Sequence, residues 1–214
     1  MRALEPEDQA ALLSQCREVL RDTSCSPYLF EDSFVRTMSG EMEAAFQYLS
    51  VNNAKCHGID CGHDLSPVGQ LEMGGASLQV AFQPADEVLD HSWTYGTPSG
   101  LHTIYAKSYM GFGQNLARLK TLELVASHSK MSKLQYPCFL KGYEEKVTVF
   151  EGSTSQRTVL FSGTGDHSAC SNLTRQILHT DYACDLKPCA IEGNYMPRKT
   201  GKFLGISGFF FAAL

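Results

Sequence analysis

With 214 residues and 43% apolar side chains, the chain can build one large domain, or one and a half small ones, around a substantial core. A net charge of −5 with no basic run argues against a nucleic-acid surface. No apolar stretch is long enough to span a bilayer; the nearest, Phe203 to Leu214, is too short and is broken by Ser207 and two glycines.

In chain order, Pro6 to Arg21 predicts an amphipathic helix. Leu12, Leu13, Cys16, Val19 and Leu20 recur at helical spacing behind a Pro-Glu-Asp first turn. Phe34 to Met38 reads as a short strand, Gly40 to Asn52 as a helix, and Asn53 to Val68 as a polar loop holding Cys56 and Cys61. Gln70–Met73 and Leu78–Phe82 are two strands joined by a glycine pair, and His102 to Tyr109 is a third strand of alternating character. Asn115 to Ser127 is a second clear helix. Lys146–Phe150 and Thr158–Phe161 are strands around a Gly-Ser-Thr turn, and Asp166 caps a helix running to Leu178. The apolar segment Phe203 to Leu214 is expected to be buried. There is no internal repeat, and the mixture of strands and helices is that of an α/β fold.

Cys16, Cys25, Cys56, Cys61, Cys138, Cys170, Cys184 and Cys189 are an even set with two close pairs, which fits disulfides and an oxidising compartment. Asn172-Leu173-Thr174 is a glycosylation sequon. The N-terminus carries no signal-peptide apolar core, so the chain is expected to be a piece of a longer, exported protein. Cys56 and Cys61, with His57 and His63 close by, read as a small disulfide loop, with a zinc site as the alternative of unusual spacing. Gly163-Thr164-Gly165-Asp166 lacks the lysine of a Walker motif and reads as a turn plus a helix cap.

The stretch richest in chemistry is Gln70-Leu71-Glu72-Met73-Gly74-Gly75-Ala76-Ser77-Leu78-Gln79-Val80. A glycine pair between two strands presents backbone N–H groups with no Cβ in the way, which suits a phosphate. A serine and a glutamine just beyond can hold a water or a phosphoryl oxygen, and an acidic residue just before can reach a metal ion through water. The pattern resembles the phosphate hairpin of the actin/hexokinase/Hsp70-like ATPases.

Further residues narrow the resemblance to the nucleoside triphosphate diphosphohydrolases, the apyrase family. Glu72 to Gln79 resembles its Asp-Leu-Gly-Gly-Ala-Ser-x-Gln. Gly40-Glu41-Met42-Glu43-Ala44-Ala45-Phe46, with Asn52 and Asn53, resembles its Gly-x-Glu-Glu-Gly region. Tyr105 to Gly113, Tyr136-Pro137-Cys138-Phe139 with Gly142-Tyr143, Cys184 to Cys189, and Phe203 to Phe211 follow in the family's order. Met1-Arg2-Ala3-Leu4 resembles the tail of Ala-Thr-Ala-Gly-Met-Arg, while a first phosphate hairpin and a final Gly-Trp-x-x-Gly are not present in these residues.

The resemblance implies an actin/hexokinase/Hsp70-like (ribonuclease H-like) α/β lobe, a mixed sheet with flanking helices, here incomplete. Residues 1–55 would be the remnant of an N-terminal lobe that is otherwise missing, and 56–214 most of the second lobe. It implies metal-dependent hydrolysis of nucleoside tri- or diphosphates, with Mg²⁺ or Ca²⁺. Glu43 would be the base, Ser77 and Gln79 would orient water, and Gly74, Gly75, Ala76 and Ser77 would bind phosphate. Glu72, where the family has Asp, would reach the metal through water. Phe211 falls where a family tyrosine stacks on the nucleobase, with a plain core role equally open, and Gln114 falls where some relatives contact the base. The resemblance also pairs Cys138 with Cys170 and Cys184 with Cys189. It implies a secreted, extracellular or secretory-lumen location and, with one hairpin of two, little activity for the isolated chain. The alternatives are a non-catalytic nucleotide-binding or regulatory lobe, and an exopolyphosphatase-like phosphohydrolase; Gln79 and the paired cysteines speak against the latter.

Overall fold

A computed structural model describes residues 2–57, 66–98, 100–151 and 155–213. The first helix, α1 (Pro6–Arg21), begins on a proline, carries Glu7 and Asp8 in its first turn and Arg21 in its last, and buries no residue. The expected apolar stripe is only partly covered: Leu12 and Val19 stay exposed while Leu13 and Leu20 are half-buried. Polar bonds fix the helix instead. Arg17 donates to the carbonyls of Asp32 and Val35, Arg21 pairs with Asp32, and Thr37 donates to Gln9. The strand expected over Phe34 to Met38 does not form. A single 3-10 turn, Asp32–Phe34, leads into unpaired chain, because the carbonyls of Val35 and Met38 are taken by Arg17 and Arg2 rather than by a neighbouring strand.

Helix α2 (Gly40–His57) runs beyond the predicted end at Asn52. Asn52 is a clamp rather than a terminus. Its amide donates to the carbonyls of Tyr48 and Val68, and its carbonyl oxygen accepts from Val68 N at 2.8 Å. The proposed Cys56–Cys61 pair lies outside the described residues.

Strands β1 (Gly69–Met73), β2 (Ser77–Phe82), β3 (Ser92–Thr97) and β4 (Gly100–Met110) form an antiparallel set, and β8 (Phe203–Ser207) joins β1 in parallel. The order is β3-β4-β2-β1-β8. A second sheet, β5-β7-β6, is built from β5 (Lys133–Tyr136), β6 (Glu144–Glu151) and β7 (Ser155–Gly163). Strands β3 and β5 were not legible in the sequence. The sheets are linked by α3 (Gln114–Ser127), whose start lies under the β1–β2 turn and whose Leu122 and Ala126 belong to the core of the second sheet. Helix α4 (His167–Leu178) is capped as expected, Asp166 accepting from Ala169 N at 2.9 Å. The bonds Cys138–Cys170 and Cys184–Cys189 form, while Cys16 and Cys25 are free and exposed.

The expected burial of Phe203 to Leu214 is corrected. Strand β8 is an edge and α5 (Gly208–Ala213) is a short surface helix, so Leu204, Phe210 and Phe211 face solvent, Phe211 at 72% exposure.

Candidate functional site

Strand pairing sorts the first sheet into two faces. On one, Glu72, Gln79 and Ser108 stand side by side across β1, β2 and β4, next to the row Gln70, Ala81 and Ala106. Helix α2 covers this face. It can come close because the contacts are small: Ala44, Ala45, Ala81 and Ala106 are all essentially inaccessible. Gly40 sets the entry. A Cβ there would meet the Ser108 Cβ at 2.2 Å, so only glycine lets the first turn of α2 sit on β4. One turn later Glu43 arrives over Gln79.

The predicted catalytic residues then meet. Gln79 Nε2 lies 2.9 Å from Glu43 Oε2, 2.8 Å from Ser77 Oγ and 3.1 Å from Ser108 Oγ. The carboxylate fixes which end of the amide is the donor, since an amide oxygen placed there would repel it. Arg2 closes the cluster, its Nη2 lying 2.6 Å from Glu43 Oε2 and 3.0 Å from Ser77 Oγ. Gln79 is fully buried, and its Oε1 has no partner among the described residues.

The glycine turn is held from below. Gly74 N donates to Ser77 O at 3.1 Å, closing the turn, so that N–H is engaged. The carbonyls of Gly74 and Gly75 accept from Gln114 N and Asn115 N, the first orphan donors of α3, at 2.8 and 2.9 Å. Ala76 O accepts from Gly111 N at 2.8 Å. The N–H groups of Gly75 and Ala76 have no acceptor among the described residues. Gly113 permits this seating: a Cβ there would lie 2.5 Å from both Ala76 N and Ser77 N. Ala76, Ser77, Glu43 and Arg2 line a cleft of about 390 Å³.

Residues 1–214 match the sequence model of the GDA1/CD39 (nucleoside phosphatase) family. The chain belongs to the GDA1/CD39 family. It is 30% identical over 98% of its length to "Probable apyrase 5" of Arabidopsis thaliana, covering 45% of that protein. It is 27% identical over 81% of its length to "Ectonucleoside triphosphate diphosphohydrolase 8" of Homo sapiens, covering 39% of it. The chain thus spans less than half the length of these relatives. A solved structure of nucleoside triphosphate hydrolases from Neospora caninum superposes with a TM-score of 0.58 at 14% identity, over 81% of this chain and 44% of that one, a likeness of fold. The GDA1/CD39 chain accordingly has the mixed-sheet, actin-like α/β architecture expected of it.

In this GDA1/CD39 site, burial pushes the Glu72 carboxyl above its ordinary range. A hydrogen bond with Ser207 opposes that shift, the charge of Glu43 adds to it, and Gln47 and Arg2 pull it back down. Among the described residues no group of three or more His, Cys, Asp or Glu is placed to cage a metal ion. Glu72 and Glu43 are the carboxylates on this face, and their chemistry fits a hydrated divalent cation, which one or two carboxylates hold with its remaining positions on water. Gln114 packs its amide against Gly208, the first residue of the helix that carries Phe211; the Phe211 ring stands in solvent beside Phe210.

Arg2 and Ser108 were not singled out as site residues from sequence. Ser108 was legible in principle: it alternates with Tyr105 and Tyr109 along β4 and so faces the α2 side. Arg2 was not, because its role depends on a contact 41 residues away.

Proposed function

We propose that this chain supplies the water-activating half of a nucleoside tri- or diphosphate hydrolase. The observation that carries the reading is the convergence of Glu43, Ser77 and Gln79 within hydrogen-bond reach, beside a turn with two N–H groups that have no acceptor among the described residues. Glu43 takes a proton from a water as that water attacks the terminal phosphorus; the bond from that phosphorus to the bridging oxygen breaks, and the shortened nucleotide leaves with that oxygen as its new terminal phosphate oxygen. Ser77 Oγ and the Gln79 amide hold the water in line, and the N–H groups of Gly75 and Ala76 meet the phosphoryl oxygens. Glu72 would hold a hydrated Mg²⁺ or Ca²⁺, which when bound neutralises phosphate charge and offsets the repulsion between Glu72 and Glu43. Phe211 offers an aromatic face for the nucleobase, with Gln114 at the base of its helix. The disulfides and the "ectonucleoside" names of relatives support an extracellular or secretory-lumen setting.

The test compares ATP binding and phosphate release in Mg²⁺ for the chain and its Glu43→Gln variant. The isolated chain is expected to bind nucleotide and to turn it over slowly, since the resemblance assigns a second phosphate hairpin to another lobe. Glu43→Gln should keep binding and abolish the remaining release. Release at an unchanged rate in the variant, or failure of the chain to bind nucleotide, refutes the reading.

A further inference from the structure

We infer that Arg36 is a substrate-binding residue of this cleft, gripping the phosphate chain at oxygens other than those held by the Gly75–Ala76 turn. The inference rests on the nucleotide-phosphate reading above and names a residue that reading does not use. The cleft beside Ser77 has two cationic side chains on its walls, Arg2 and Arg36. Arg2 is committed: Glu43 neutralises it at 2.6 Å, and it also holds Ser77 and the Met38 carbonyl. Arg36 is exposed and has no hydrogen bond or ion pair among the described residues.

Its backbone is nevertheless fixed on both sides. Val35 O accepts from Arg17 at 2.7 Å, Thr37 Oγ1 donates to Gln9 at 3.3 Å, and Met38 O accepts from Arg2 at 3.4 Å. A guanidinium on a pinned segment, facing a cleft and holding nothing among the described residues, is preorganised for an anion that comes from outside. Its planar fork matches two phosphate oxygens at once. The volume of about 390 Å³ is at the small end of ligand pockets, roughly 300–1,000 Å³, which fits a phosphate chain with its nucleoside lying outside.

The experiment is a phosphorus NMR titration of the 214-residue chain with inorganic tripolyphosphate, at fixed ionic strength, for the wild type, Arg36→Gln and a charge-matched control, Lys133→Gln. Lys133 lies on the second sheet, paired with Glu144. Arg36 makes no hydrogen bond or ion pair among the described residues, so Arg36→Gln should unfold at the wild-type denaturant midpoint. Its affinity for tripolyphosphate is expected to fall roughly 10- to 100-fold, with Lys133→Gln unchanged. Wild-type affinity in Arg36→Gln, or an equal loss in Lys133→Gln, overturns the assignment and leaves the nucleotide reading standing. Failure of the wild-type chain to bind tripolyphosphate overturns the assignment, and failure to bind ATP as well overturns both.

Discussion

The two faces of the five-stranded sheet are made by the same strands and obey opposite rules. Strand β2 reads Ser-Leu-Gln-Val-Ala-Phe, all six residues buried. Leu78, Val80 and Phe82 face one way, into a core with Tyr105, Tyr109 and Phe112. There the polar atoms are satisfied, Tyr105 donating to the Tyr195 carbonyl at 2.8 Å. Ser77, Gln79 and Ala81 face α2, where the packing is done by alanines and where Gln70, Glu72 and Gln79 are buried. Gln70 Oε1 and Gln79 Oε1, both on this side, are buried polar atoms with no partner among the described residues. One face maximises apolar contact. The other tolerates incompletely satisfied polar groups, which cost stability and place chemistry.

That contrast can be broken by substitution. The largest effect is expected from Phe82→Ala on the apolar face, a loss of about 3–5 kcal/mol read from denaturant unfolding, since a fully buried ring leaves a cavity. Gly113→Ala should cost about 1–3 kcal/mol, because backbone rather than a flexible side chain must yield to the new Cβ. It should also abolish nucleotide binding by shifting the turn, and a Gly113→Ala chain that binds ATP normally would disprove that seating. Gln79→Leu should change stability by no more than about 1 kcal/mol while lowering phosphate release roughly 100-fold through a misplaced water. A stability loss as large as that of Phe82→Ala would erase the distinction between the faces.

The smallest effect concerns Glu72, whose folded carboxyl is held above its ordinary value chiefly by burial. The protonated form's contribution to stability is fully present below the unfolded value and is lost as pH rises through the folded one. Glu72→Gln should therefore raise stability at neutral pH, and the gain should vanish below the ordinary glutamate value of 4.5. Unfolding midpoints at pH 7.5 and pH 4 check this; a gain that persists at pH 4 would assign it to another cause.

Much of the site could be read from the chain because its parts are local. Glycine pairs, a serine and a glutamine at fixed spacing, and the alternation of β2 and β4 depend only on neighbours in sequence, and so did the Asp166 cap. Strand β3 escaped because its residues are largely exposed and its pairing with β4 is not written in an apolar pattern. Helix α1 misled in the opposite sense, since a regular apolar stripe does not say whether anything lies against it.

The sequence by itself determined the α/β class, the hairpin with its phosphate-suited turn and the helix carrying Glu43, all of which rest on short-range patterns, while the two formed disulfides, one of them closing 32 positions, were implied only by the family resemblance. Only the tertiary structure decided that Glu43 stands 2.9 Å from the Gln79 amide, that Arg2 is locked to that carboxylate, and that Arg36 stands on the cleft wall with no partner among the described residues. Those contacts join residues tens of positions apart. Their geometry is set by how closely α2 can approach the sheet, which the glycine at 40 and the facing alanines control.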